Sequence, residues 1–184
     1  MFSARKVVKQ ENITALGDVT AGDKYEIYLP RPTQLDLFSN LYKKEVENKS
    51  CTNQLIDELT HYKNSKSDIR DLSTKLSEAG YSYLIKDAED LKESVSKLIV
   101  KYQHYKSAQK IITYLLAEIE SIFNSEIKPK IRNKCQDHEL SLILRQSIEN
   151  VLNEKLGENV LDIYSRQLRG MVYFLTGNCH LEWK

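Results

Sequence analysis

Apolar residues recur at helical spacing along most of this chain. Leu35, Phe38, Leu41 and Tyr42 open a stripe, a weak break falls at residues 50–53, and Leu55, Ile56, Leu59 and Tyr62 resume it. A further helix reads from about Asp68 through Ile69, Leu72 and Leu76 to Gly80, which is placed to take the left-handed C-terminal cap. Residues 81–128 contain neither glycine nor proline, and Leu84, Leu91, Leu98, Tyr105, Ile112 and Ile119 recur every seven positions. A second column, Ala88, Val95, Tyr102, Gln109, Leu116 and Phe123, has one polar member. The spacing predicts one helix of about 44 residues, roughly 66 Å long. Folded back on residues 34–79, it would make a long antiparallel hairpin. Pro129 should interrupt it. Asp137 then opens a helix through Leu140, Leu144, Ile148, Val151, Leu152 and Leu156 to Gly157, and Val160, Leu161, Tyr164, Leu168, Met171, Val172 and Leu175 make a last helix ending at Gly177.

The first 29 residues carry a different rhythm. Val7, Ile13, Val19 and Tyr25 fall in one column at sixfold spacing, Ala15, Ala21 and Ile27 in another, with Gly17-Asp18 and Gly22-Asp23 at the corners. That pattern fits a β segment, either one coil of a parallel β-helix or a plain hairpin, and both leave a pairing edge. Homo-oligomerisation through Val7, Ile13, Val19 and Tyr25 is the expectation. Pro30 and Pro32 stiffen the junction and Thr33 can cap the helix beyond it. The expected fold is therefore mainly α: a helical bundle built on a long antiparallel hairpin, with a short N-terminal β segment. The expected organisation is a leader and linker at 1–32 and a helical domain at 33–184. Within that domain lie the hairpin 33–128, C-terminal helices at 137–177 and a tail at 178–184.

Composition narrows the partners. Among 184 residues, 27 Lys and Arg stand against 26 Asp and Glu, so no global field favours nucleic acid or an anionic membrane. No stretch approaches the ~18 apolar residues of a spanning helix, and the basic N-terminus lacks the apolar core of a signal peptide. Cys51, Cys135 and Cys179 are odd in number and widely spaced, which suits reduced thiols and a cytoplasmic address.

Little in the sequence carries catalytic chemistry. The run 17–25 has the outline of a phosphate loop, but Asp23 precedes its Lys24 and no Ser or Thr follows to hold magnesium. Cys135 and His138, with Cys179 and His180, supply the nitrogen and sulfur that a zinc site takes, so zinc is the alternative to the expectation of no cofactor. Neighbouring Cys179 and His180 are poorly disposed to act as nucleophile and base. No catalytic residue is assigned and the chain is expected not to be an enzyme. Lys86, Lys92, Lys97, Lys101, Lys106 and Lys110 could form a basic stripe, but Asp87, Glu89, Asp90 and Glu93 intersperse it, so a solvated face is expected rather than a nucleic-acid track. The lone tryptophan, Trp183, stands at the penultimate position. Its indole either packs back on the bundle or serves, with Cys179, His180 and Leu181, to dock a partner.

The run Asn12-Ile13-Thr14-Ala15-Leu16-Gly17-Asp18-Val19-Thr20-Ala21-Gly22-Asp23-Lys24 resembles the turn-rich leader of many bacterial conflict-system proteins. Gly170-Met171-Val172-Tyr173-Phe174-Leu175-Thr176-Gly177-Asn178-Cys179-His180-Leu181-Glu182-Trp183 resembles the terminal signature of the C-terminal domains of ABC three-component systems. The resemblance implies a part in antiviral or mobile-element defence. It also implies partners: an ABC ATPase of the RecN/SMC type and a small middle component, which such a domain couples to an effector. With no effector ahead of the leader, a stand-alone adaptor, or one whose effector is a separate chain, is expected. The alternative is a zinc-binding or nucleic-acid-handling helical protein.

Overall fold

The computed structural model describes residues 31–65 and 70–184. The leader, its columns Val7, Ile13, Val19 and Tyr25, and the start of the helix expected near Asp68 lie outside the described residues. Pro32–Lys184 forms one compact unit, and the described residues are helical, with no strand among them.

Helix α1 (Gln34–Glu47) starts where the sequence places it. Thr33 accepts the Asp36 N–H (3.2 Å) while Asp36 accepts the Thr33 N–H (2.8 Å), a reciprocal capping box. Short helices α2 (Asp57–Lys63) and α3 (Leu72–Glu78) follow, α3 capped by the Asp71 carboxylate on the Thr74 N–H (2.7 Å). Gly80 then adopts φ 89°. The Gly80 N–H reaches the Ser77 carbonyl (3.0 Å) and the Tyr81 N–H reaches the Leu76 carbonyl (2.8 Å), the two bonds of a Schellman stop.

The continuous helix expected over residues 81–128 is not formed. A short 3₁₀ turn (Ser82–Leu84) leads into α4 (Ile85–Tyr102), the chain breaks at residues 103–105, and α5 (Lys106–Ile122) begins anew. The break has no glycine or proline; its backbone is held from a distance. The fully buried Gln109 donates to the carbonyls of Gln103 (2.6 Å) and Gln54 (3.1 Å) and accepts the Ile56 N–H (2.7 Å). Thr52 donates its N–H to the His104 carbonyl (2.8 Å). The one polar member of the seam is thus the residue that satisfies the interruption. From α1, Glu45 accepts both the N–H (3.1 Å) and the hydroxyl (2.9 Å) of Ser107, placing a carboxylate at the positive end of α5.

Pro129 does not end the helix. A wide π turn (Phe123–Ile127) carries α5 into α6 (Lys128–Arg132), where Pro129 occupies the first turn. The clash of its ring with the carbonyl four residues back falls on the widened turn, so the rod continues to Arg132. Helix α7 (Asp137–Ile143) likewise passes through a π segment (Leu144–Asn150) into α8 (Val151–Lys155), and Gly157 stops the run at φ 52°. Val160 and Leu161 are not helical. Residues 157–164 form a loop clamped by Asn159, which accepts the Ile163 N–H (2.9 Å) and donates to its carbonyl (2.6 Å), so Leu161 and Ile163 enter the core without a helix.

Helix α9 (Ser165–Gly177) is the centre of the unit. Every residue from Gly170 to Thr176 is buried, as expected of a helix surrounded by others, and it packs against α3, α4, α5 and the π segment. At Gly170 a Cβ would stand 2.8 Å from both the Leu91 carbonyl oxygen and Val95 Cγ2, so the closest approach of α4 and α9 depends on this glycine. Elsewhere α1 and α2 pack on α5, and α3 on α4.

Candidate functional site

The signature that closes the sequence is folded into the core. Helix α9 ends in a Schellman stop whose left-handed residue is Cys179 (φ 63°), not Gly177. The Cys179 N–H bonds the Thr176 carbonyl (3.1 Å) and the His180 N–H the Leu175 carbonyl (2.8 Å). Gly177 is the last helical residue, and a Cβ there would run into the Lys92 side chain. The reversal turns residues 180–183 back onto the bundle.

Trp183 fills a pocket of aromatic rings. Its indole lies edge-on to Tyr81 (5.8 Å), tilted on Phe123 (5.3 Å) and stacked on Tyr173 (6.3 Å), and is only 1% exposed. The indole N–H donates to Thr176 Oγ1 (2.9 Å), whose own hydroxyl donates to the Val172 carbonyl (2.8 Å). Leu181 is fully buried. His180 is buried among rings, 5.0 Å from His61 and 5.1 Å from Tyr62.

Charged groups fasten the tail as well. The Lys75 side chain is completely buried; its Nζ lies 2.7 Å from Glu182 Oε1 and donates to the carbonyls of Thr176 and Leu181 (3.4 Å each). Arg70 bonds the other Glu182 oxygen (3.0 Å) and approaches Glu78 (3.6 Å), which also pairs with Lys184 (2.6 Å). The bond from the Lys184 ammonium holds the Glu78 carboxyl below its usual range. Around the tail, burial raises the phenols: Tyr173 to about 12, and Tyr62 to about 12 with help from its hydrogen bond to Glu120 (3.0 Å). Tyr81 is raised too, first by burial and then by its contact with the Cys135 thiol (3.4 Å).

The candidate residues are placed as follows. The four residues of the zinc alternative do not converge: Cys135 lies against Tyr81, the Cys179 thiol donates to the Arg70 carbonyl (3.6 Å), His180 sits between His61 and Tyr62, and His138 is exposed in the first turn of α7. Among the described residues no group of three or more His, Cys, Asp and Glu could hold a metal ion. The apolar tail residues Leu181 and Trp183 also face the chain's own core, so what this end offers to another molecule is the charged set Arg70, Glu78, Glu182 and Lys184. The basic stripe is split by the break at residues 103–105. Lys97 pairs with Glu93 (2.7 Å), Lys101 lies over the Tyr102 ring and Lys110 over Phe38.

Sequence reasoning missed Lys75, whose burial inside a helix of polar appearance has no local signal, and Thr176, the acceptor for the indole. The spacing of Thr176 and Trp183 across a chain reversal was the one available clue.

Residues 71–183 match the family model described as C-terminal domain 9 of the ABC-three component (ABC-3C) systems, more than half of the chain. The matched span starts at the cap of α3 and ends on the buried tryptophan, so it contains both halves of the Lys75–Glu182 fastening. No curated protein and no solved structure matches the chain.

Proposed function

The chain belongs to the C-terminal domain 9 family of the ABC-three component systems, and within such a system we propose that it is a non-enzymatic adaptor. In this reading it docks an ABC ATPase and a small middle component and couples them to an effector, in the service of antiviral or mobile-element defence in the cytoplasm. The observation that carries the reading is the family match itself, which spans α3 to the docked tail. The geometry is in keeping with it. A tail locked by Trp183 and Lys75 gives a rigid end, and its outer charges, Arg70, Glu78, Glu182 and Lys184, are of the kind that select a partner by charge pattern. No cofactor enters the proposal. Self-association through the leader is part of it, and the described residues neither require nor oppose that.

Co-expression with the ABC ATPase and middle component of its own system tests the adaptor role. The tagged chain should co-elute with both in size-exclusion chromatography. If the other two elute together without it, the adaptor role is wrong. Deleting residues 1–29 should lower the mass measured by light scattering; an unchanged mass removes the leader from the assembly.

A further inference from the structure

A cleft of about 510 Å³ opens beside the α4–α9 contact, lined by Leu91, Ser141, Arg145, Glu149, Ser165, Arg166 and Arg169. Its walls are α4, the α7–π run and the start of α9. Three arginines face one carboxylate. That carboxylate is already committed: Glu149, buried, accepts from Arg169 Nε (2.6 Å) and lies 2.5 Å from Arg169 Nη2. Arg145 and Arg166 are exposed, and among the described residues neither has a carboxylate within ion-pair distance. The cleft thus carries two uncompensated guanidinium groups from different elements, in a protein whose formal net charge is only +1. Ser141 and Ser165 add hydroxyl donors.

We propose that this cleft binds an acidic segment of a partner protein, its carboxylates taken by Arg145 and Arg166. The proposal rests on the adaptor reading and gives that reading a contact point. Planar guanidinium groups match carboxylates in a two-pronged geometry that ammonium groups cannot supply. The lining has no aromatic side chain on which a nucleobase would stack, and the lysines of α4 do not extend the cleft into a phosphate-tracking stripe, so a protein segment is favoured over a nucleic-acid strand.

The test uses the full chain and fluorescein-labelled octa-glutamate at low ionic strength, followed by anisotropy, with labelled octa-glutamine and an oligothymidine as comparison probes. Octa-glutamate should bind saturably and weaken with salt, and the double variant Arg145→Glu/Arg166→Glu should bind at least tenfold more weakly. Lys97→Glu, an equal charge change per site at an exposed position of α4, should stay within twofold of the parent. The variants should melt like the parent by circular dichroism; if the double reversal does not fold, Arg145→Gln/Arg166→Gln takes its place with the same tenfold criterion. Absence of saturable binding, an equal loss in Lys97→Glu, or tighter binding of the oligothymidine through the same arginines overturns the proposal. The assay involves this chain alone. Its failure therefore leaves co-elution with the ATPase and middle component untouched, and failure of co-elution does not alter the peptide result.

Discussion

Thr176→Val acts chiefly on one bond, the donation from the Trp183 indole to the Thr176 hydroxyl. Valine keeps the shape of threonine and has nearly the same helix propensity, so the helix itself is little disturbed. The substitution strands a buried indole N–H, a cost of about 1–3 kcal/mol. A methyl in place of a hydroxyl in a fully buried position returns at most about 0.8 kcal/mol. The loss of the hydroxyl's bond to the Val172 carbonyl is small, because that carbonyl belongs to the helical ladder as well. The net expectation is a loss of about 1–2 kcal/mol, a sizeable part of the ~5–15 kcal/mol that holds a typical domain together. Trp183→Phe removes the donor instead, and the double variant removes both, so their effects should fall short of additive by about 1 kcal/mol. Urea unfolding provides the measurement. The sole tryptophan reports directly in the parent and in Thr176→Val, and circular dichroism serves for all four proteins. A Thr176→Val protein within about 0.3 kcal/mol of the parent, or strictly additive effects, would refute the idea that this bond helps secure the tail.

Other consequences follow from the same geometry. Gly170→Ala gains about 1 kcal/mol of helix propensity, but its methyl meets a backbone carbonyl that cannot rotate away, so a net loss of about 1–2 kcal/mol in urea is expected; a gain would mean that α4 and α9 can separate freely. Lys49 holds φ 50° in the stop after α1, so Lys49→Gly should stabilise by about 0.5–1 kcal/mol, and a clear loss would contradict the assigned backbone state. Tyr173 is raised to about 12, so the folded state keeps a proton that the unfolded chain releases near 10, and stability present below pH 10 is lost as pH rises toward 12. The melting temperature should fall across that window, less steeply in Tyr173→Phe; identical slopes would remove Tyr173 from the effect.

The helical character, the Thr33 cap, the stops at Gly80 and Gly157 and most of the core were legible because each rests on local signals: period, cap residue, or glycine with positive φ. What was not legible depends on distant partners. The break at residues 103–105 is satisfied by Gln109 and Thr52, and nothing within the break itself announces it. Of the Schellman stops, that after α1 uses Lys49, that after α6 uses Lys134 and that after α9 uses Cys179, so a search for glycine finds only some of them. For the same reason the cysteine of the closing signature reads as chemistry in the sequence and as a turn in the structure. The inward fate of Trp183 was one of two open readings, because a sequence shows the indole but not the ring of Tyr81, Phe123 and Tyr173 gathered from three other places. The arginine cleft was invisible for a like reason: its residues come from separate helices.

The π segment Leu144–Asn150 bears on how this domain can change over time. Its wide turn absorbs one extra residue, so ordinary α spacing carried through all seven positions would swing everything downstream by about 100°. Leu152 and Leu156 would leave the core, and Glu149 would lose its phase relative to Arg169. Loss of one residue here is absorbed by a return to α spacing, whereas loss of one residue from the ordinary helix on either side is not. The segment is therefore a place where this run of helix can give up a residue while its core face stays in register.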